Sequence, residues 1–371
     1  MDADLIVVIV VATALAFDFT NGFHDTANVV ATSISTRAMA PQLAVGYAAV
    51  LNFAGAFISL EVAATVAKDV VAVRAEPEFM IVVFGGLVGA IAWNLITWYF
   101  GLPSSSSHAL IGGMVGAAFV ADGAEAVMGD GVLGKVMVPA LVAPTLAFVV
   151  GGLAILFMYR IVGRLRPGPV SSGFRAGQIV SGGLLAVAHG TNDAQKTMGV
   201  IALALVANGS IAGGDDLTIP DWVVVSAATA IALGTYAGGW RIIKTMGSRI
   251  HKMDAAQGFA AQGAGAAVIL ASSQVGFPLS TTHTISGAVI GSGAAKRLSA
   301  VRWGVAGNIV VAWILTLPAA AAIGGLTYGV TRVFGTGAAG PVIVSVLIVA
   351  ASTVLFLRRA QRGPAVTAAE A

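Results

Sequence analysis

The sequence contains no cysteine, so disulfides and thiol chemistry are excluded. Charge is almost as scarce. Only 10% of the 371 residues are Asp, Glu, Lys or Arg, against about 25% in a soluble domain. That is too little to cover a water-facing surface. No Lys or Arg precedes Arg37, so the opening MDADLIVVIV lacks the basic start of a signal peptide. It reads instead as a first crossing with an acidic outer end. Nothing points to nucleic acid, because the net charge is only +3 and the basic residues sit in short loops.

What is abundant is apolar: 57% of residues, with a mean hydropathy of +0.90. Apolar runs of about 20 residues recur, enough for about half a dozen crossings plus shorter pieces. The 47 glycines suit helices packed through small residues. The expected class is an all-α polytopic membrane protein whose immediate surroundings are the lipid bilayer.

Two short polar stretches interrupt this background. They are Pro103-Ser104-Ser105-Ser106-Ser107-His108 and Pro278-Leu279-Ser280-Thr281-Thr282-His283. In each a proline stands five residues before a histidine, with hydroxyl side chains between. Gly112 and Gly116 follow the first at the same offsets as Gly287 and Gly291 follow the second. A second pair of motifs repeats as well. Asn21-Gly22-Phe23-His24-Asp25 aligns with His189-Gly190-Thr191-Asn192-Asp193. Such polar groups at membrane depth predict helices unwound or kinked at the motif.

The loops supply topology through the positive-inside rule. Residues 61–78 carry Glu61, Lys68, Asp69, Arg74, Glu76 and Glu78 and read as a solvated loop after a crossing at 42–60. Loop 121–134 is acidic. Loop 159–176 holds Arg160, Arg164, Arg166 and Arg175 and no acid, and loop 241–252 is also basic. With 159–176 in the cytoplasm, the charges agree only if 79–120 enters and leaves on one side. The predicted plan is an inverted-topology repeat with broken helices and two re-entrant hairpins, a common plan of secondary transporters. The first repeat covers 1–158, with its hairpin at about 79–120. A cytoplasmic basic linker covers 159–176. The second repeat covers 177–357, with its hairpin at about 256–294, and 358–371 is a cytoplasmic tail. The N-terminus is then outside and the C-terminus inside. At 22 residues, 79–100 is also long enough to span fully.

A hairpin tip within the membrane exposes the first N–H groups of its second limb, and these favour an anion. Ser104, Ser105, Ser106, Ser107, Ser280, Thr281 and Thr282 add neutral donors, and Thr191 and Asn192 join them as candidate anion ligands. The bland alternative is that these hydroxyls bond to the preceding turn's carbonyls. Asp25 and Asp193 need a cation or a proton at membrane depth. Asn21, Asn28, Asn192 and Gln195 complete an oxygen shell for that coupling ion. The alternative there is a structural pair, Asp193 with Lys196. His24, His108, His189 and His283 lie in or beside the motifs and are candidates for proton handling, although each singly suits a structural hydrogen bond.

The segments GFHDTANVVAT, WNLITWYFGLPSSSSHALIGG, HGTNDAQKTMGV and PLSTTHTISGAVIG resemble the inorganic phosphate transporter (PiT) family over about residues 10–300. The resemblance implies a cation-coupled phosphate carrier, a homodimer, with no cofactor beyond the coupling ion. It places the ions on Asp25 and Asp193, and phosphate on Ser105 to Ser107 and Ser280 to Thr282. His24 in the first motif resembles the bacterial low-affinity branch, which implies H+ rather than Na+ and phosphate accompanied by metal. Sulfate transport on the same scaffold is the alternative. An intramembrane Ser–His hydrolase fits poorly, since Ser107–His108 and Thr282–His283 are neighbours on a helix and do not face each other.

Overall fold

The computed structural model describes residues 2–72, 77–214 and 217–360. Among them the regular structure is helical apart from an isolated bridge between Val71 and Val127. The first half contains α1 (Asp2–Ser35), α2 (Pro41–Gly55), α3 (Glu61–Asp69), α4 (Pro77–Phe100) and α5 (Ser106–Asp122). It continues with α6 (Gly129–Gly131), which runs through a π-helical turn, Val132–Met137, into α7 (Val138–Val162). The second half contains α8 (Pro167–Ala207), α9 (Asp221–Ala237), α10 (Trp240–Lys244), α11 (Ala255–Gln274), α12 (Thr281–Lys296), α13 (Trp303–Arg332) and α14 (Ala339–Ala360).

Among the described residues, four helices are long and apolar enough to cross a membrane: Asp4–Ser35, Glu78–Phe100, Gly129–Val162 and Trp303–Arg332. Asp221–Ala237 and Trp240–Arg249, bent by 60° at Gly238, add a fifth if counted as one span. The expected crossing at 42–60 ends early. α2 has 15 residues, about 22 Å at 1.5 Å per residue, short of a hydrocarbon core of about 30 Å.

The motif helices depart from expectation. α1 and α8 run unbroken through their polar motifs. The reason is lateral satisfaction: the polar side chains find partners on neighbouring helices, so the backbone need not open. Small residues permit that closeness. A Cβ on Gly22 would lie 2.3 Å from the Ile231 carbonyl of α9, and one on Gly190 would lie 2.1 Å from the Asn52 carbonyl of α2. Each motif helix therefore packs on a helix of the other half.

The polar loops are also more ordered than charge alone suggests. Residues 61–69 form α3, whose Val62, Ala63, Val66 and Ala67 are buried, a spacing that gives a short helix one apolar face. Residues 73–76 of that stretch lie outside the described residues. α10 and a π-helical turn, Thr245–Arg249, occupy most of the expected loop 241–252 and bury Ile242, Ile243 and Met246. The basic linker shrinks to 163–166, because Pro167 and Pro169 fall in the first turn of α8, where a missing N–H costs nothing. α14 carries helix through Ala360, and 361–371 lie outside the described residues.

The two tips are built alike. α4 and α11 each end on a glycine with positive φ, Gly101 at 66° and Gly276 at 74°. Leu102 N bonds Thr97 O and Gly101 N bonds Trp98 O, while Phe277 N bonds Ser272 O and Gly276 N bonds Ser273 O. This is the helix ending that a left-handed glycine permits. Pro103 and Pro278 follow two residues later. Ser105 then caps α5 by accepting from His108 N, and Ser280 caps α12 by accepting from His283 N, both at 3.1 Å. The second limbs cross over as the motif helices do. A Cβ on Gly112 or Gly116 would meet Leu317 or Ala321 of α13, and one on Gly287 or Gly291 would meet Pro144 or Phe148 of α7.

Candidate functional site

A buried polar cluster forms where the tips meet the motif helices. The Ser107 hydroxyl donates to the Leu279 carbonyl at 3.1 Å, joining one tip to the other. Carboxylate oxygens of Asp25 and Asp193 and a ring nitrogen of His189 lie within 4.8 Å of one another. Two ionised carboxylates at that range repel by about 3.5 kcal/mol at an effective dielectric of about 20. The pair calls for positive charge. The cluster is shut off from solvent, with Asp25 1% and Asp193 0% exposed.

Around Asp25 there are more acceptors than hydrogens. The Ser106 hydroxyl is 2.6 Å from both Asn21 Oδ1 and Asp25 Oδ2, yet it has one hydrogen to give. Asn28 Nδ2 donates to Thr282 Oγ1 at 2.9 Å, and Thr282 Oγ1 is 3.2 Å from Asp25 Oδ1. Asn28 Oδ1 is buried with no donor. His24 Nδ1 is 2.7 Å from Asp25 Oδ1, and its Nε2 is 3.1 Å from Thr97 Oγ1. The Thr97 hydroxyl donates to the Trp93 carbonyl at 2.9 Å and accepts from Ser104 at 2.8 Å. Both ring nitrogens of His24 then face acceptors.

Around Asp193 the balance is reversed. The Lys196 ammonium donates to Asp193 Oδ1, to Ser107 Oγ at 2.5 Å and to the Leu279 carbonyl at 2.7 Å. Thr281 Oγ1 donates to Asp193 Oδ2 at 3.0 Å, and His189 Nε2 lies 3.0 Å from the same oxygen.

The sequence pattern of the Phosphate transporter family matches residues 21–169 and 165–324. The chain belongs to that family. It is 51% identical to a probable low-affinity inorganic phosphate transporter of Mycobacterium leprae, over 95% of this chain and 84% of the relative. Identity is 49% to the protein of the same description in Rhizobium meliloti, over 88% of this chain and 98% of that one. A solved structure described as the sodium-dependent phosphate transporter superposes with a TM-score of 0.75 at 25% identity, covering 88% of this chain and 99% of that one. This is a multi-pass phosphate transporter of the PiT family, not an enzyme.

In this transporter the predicted residues divide into groups. Asn21, His24, Asp25, Asn28, Ser106, Ser107, Thr281, Thr282, His189 and Asp193 meet in the cluster. Ser105 and Ser280 spend their hydroxyls as helix caps. Thr191 and Gln195, read as phosphate and ion ligands, are committed elsewhere: Thr191 Oγ1 is 2.8 Å from the carbonyls of Gly55 and Val187. Gln195 Oε1 accepts from Val62 N and Ala63 N at the start of α3. It closes a helix end that the sequence reading took for a loop. Asn192 Nδ2 turns to Ser273 Oγ and the Phe277 carbonyl. His108 and His283 meet edge to face at the tips, their ring centroids 4.7 Å apart, and His283 stacks on the Trp313 ring at 4.1 Å.

Two contributors escaped the sequence reading. Lys196 entered only as a structural partner for Asp193. Asp18 is fully buried, and its oxygens make no hydrogen bond of good geometry, with Thr197 and Asn21 beside it. Its signal was present in the sequence, as an acid about one helical turn before the motif.

Proposed function

We propose that this chain imports inorganic phosphate, alone or with a metal, across the plasma membrane by symport with a cation, H+ in preference to Na+. The observation that carries the reading is the meeting of two hydroxyl-bearing helix N-termini over paired intramembrane carboxylates. α5 and α12 direct their first turns into one buried space, and a dianion there gains from both dipoles and from neutral hydroxyls. Ser106, Ser107, Thr281 and Thr282 are the side chains for phosphate. Asp25, with Asn21 and Asn28, is the coupling-cation side, since that is where acceptors outnumber hydrogens. The His24–Asp25 contact favours a proton. The tips lie near the midplane of an inverted repeat, with the N-terminus outside and the C-terminus cytoplasmic, and the carrier works as a homodimer. Recurrence of the same contacts in both halves supports the repeat.

The experiment is uptake of radiolabelled phosphate into proteoliposomes, with sulfate as competitor. It is run under a pH gradient without sodium, then under a sodium gradient at equal pH. Uptake that follows the pH gradient and resists sulfate supports the reading. Uptake that follows only sodium, unchanged in His24→Asn, rejects proton coupling. Sulfate as the better substrate rejects the phosphate assignment.

A further inference from the structure

We propose that Lys196 is a built-in cation that fills, beside Asp193, the place its counterpart half leaves open for a mobile coupling ion. This rests on the cation-coupled reading above and deepens it. It fixes how many exchangeable cation sites the chain has at the paired carboxylates.

The argument starts from the internal repeat. The frame that sets Asn21–Asp25 on His189–Asp193 also sets Asn28 on Lys196, three residues past the acid in each case. Residues three apart share a helix face. The tips correspond as well, Ser106 with Thr281 and Ser107 with Thr282. The contacts obey both correspondences. Ser106 Oγ lies against Asp25 as Thr281 Oγ1 lies against Asp193. Asn28 Nδ2 donates to Thr282 Oγ1 at 2.9 Å, and Lys196 Nζ donates to Ser107 Oγ at 2.5 Å. Position for position, an ammonium stands where the other half has a neutral amide.

At this position the chemistry of the two halves then differs in charge. An ammonium has three hydrogens and no lone pair. Lys196 directs its hydrogens to a carboxylate, a hydroxyl and a backbone carbonyl: Asp193 Oδ1, Ser107 Oγ and Leu279 O. A carboxylate, a hydroxyl and a carbonyl are also the oxygen donors that a small metal cation would need. Lys196 is 1% exposed, so water does not share the ammonium. Near Asp25 the same inventory lacks an ammonium. Asn28 Oδ1 has no donor, and one Ser106 hydrogen lies between two acceptors. Asn192 Oδ1 also lacks a donor, but its amide is turned to Ser273 and Phe277, away from the ammonium's acceptors. One half is saturated by a tethered charge. The other is left to a cation that comes and goes.

The test counts cations. Purified wild type, Asp25→Asn, Lys196→Asn and the double variant Asp193→Asn/Lys196→Asn are titrated with radioactive sodium in detergent, with choline replacing sodium, without phosphate. Lys196→Asn restores the residue of the first half. It is expected to bind one Na+ per chain more than wild type, and the double variant is expected to lose that ion. Phosphate uptake by Lys196→Asn should acquire a sodium requirement, with the sodium Hill coefficient rising by about one. A monodisperse Lys196→Asn with the wild-type sodium count overturns the proposal. So does a raised phosphate KM with no gain in sodium, which would make Lys196 an anion ligand. If Lys196→Asn does not stay monodisperse, Asp25→Asn decides. With Lys196 resident it binds no Na+; one Na+ retained there overturns the proposal. Absence of phosphate uptake in every protein, with the sodium counts as expected, would reject the transport reading and leave this one standing.

Discussion

Asp193→Asn tests the asymmetry of the site through stability rather than transport. The substitution keeps the shape and removes the charge that faces Lys196. The ammonium is then left with Ser107 Oγ and the Leu279 carbonyl in a space almost without solvent. Breaking one partner out of a buried pair costs about 3–5 kcal/mol. Spread over 371 residues, at an unfolding entropy of about 2 cal/mol/K per residue, that lowers the melting temperature by about 4–6 °C. Asp25→Asn strands no lysine and should melt within about 2 °C of wild type, because its cost is confined to weakened hydrogen bonds to His24, Ser106 and Thr282. The assay is the thermal unfolding of detergent-purified variants, with phosphate uptake measured in parallel. Uptake should be lost in both, and stability only in Asp193→Asn. Adding Lys196→Met to Asp193→Asn removes the stranded charge and should return most of the loss. Equal melting temperatures for wild type and Asp193→Asn would refute the reasoning, since Lys196 would then have another counter-charge.

Ser106→Ala and Thr281→Val each delete one hydroxyl proposed for phosphate; each should raise the phosphate KM about fivefold to tenfold, from the roughly 1 kcal/mol of a hydrogen bond, and an unchanged KM in both would move the anion elsewhere. Because the chain has no cysteine of its own, the pair His108→Cys/His283→Cys can be oxidised without background. Closing that bridge should stop uptake reversibly, and uptake that survives full cross-linking would show that the tips need not part. Asp254 caps α11 by accepting from Gln257 N at 2.9 Å, and it receives Lys296 at 2.9 Å. Burial raises its pKa, but these contacts and Tyr159 outweigh burial and hold the carboxyl below its ordinary 3.8. Its contribution is therefore complete above about pH 4 and is lost as pH falls through the lowered folded value. Asp254→Ala should cost about 1 kcal/mol at neutral pH and nothing in strong acid, as read by thermal melts across pH.

The helical class and the placing of the tips were legible because their signals are local. A proline two residues beyond a glycine, followed by a hydroxyl cap, prescribes a helix end and a new start whatever surrounds it. The paired aspartates were legible because a carboxylate in an apolar run needs a reason. The unbroken course of α1 and α8 was hidden. Whether a polar side chain unwinds its own helix depends on donors from other helices, such as Ser106 for Asp25 and Thr281 for Asp193, and no local pattern reports them. Gln195 was misread for the same reason: its partners are the backbone of α3, which charge counting had dissolved into a loop. Lys196 shows the limit of reading residues by type, since its meaning came from its opposite number, Asn28, and from the three oxygens around it.

The crossed packing of the halves has a consequence for how the chain can be divided. α1 rests on α9 and α8 on α2, while α5 rests on α13 and α12 on α7. Residues 163–166 are the exposed seam between the two halves. A cut there would yield fragments that each lack the packing partners of their own helices, so neither should hold its fold when made alone. Made together, the two polypeptides carry complementary faces and no covalent need for the seam. The molecule is in that sense already a heterodimer whose two subunits happen to share one peptide chain.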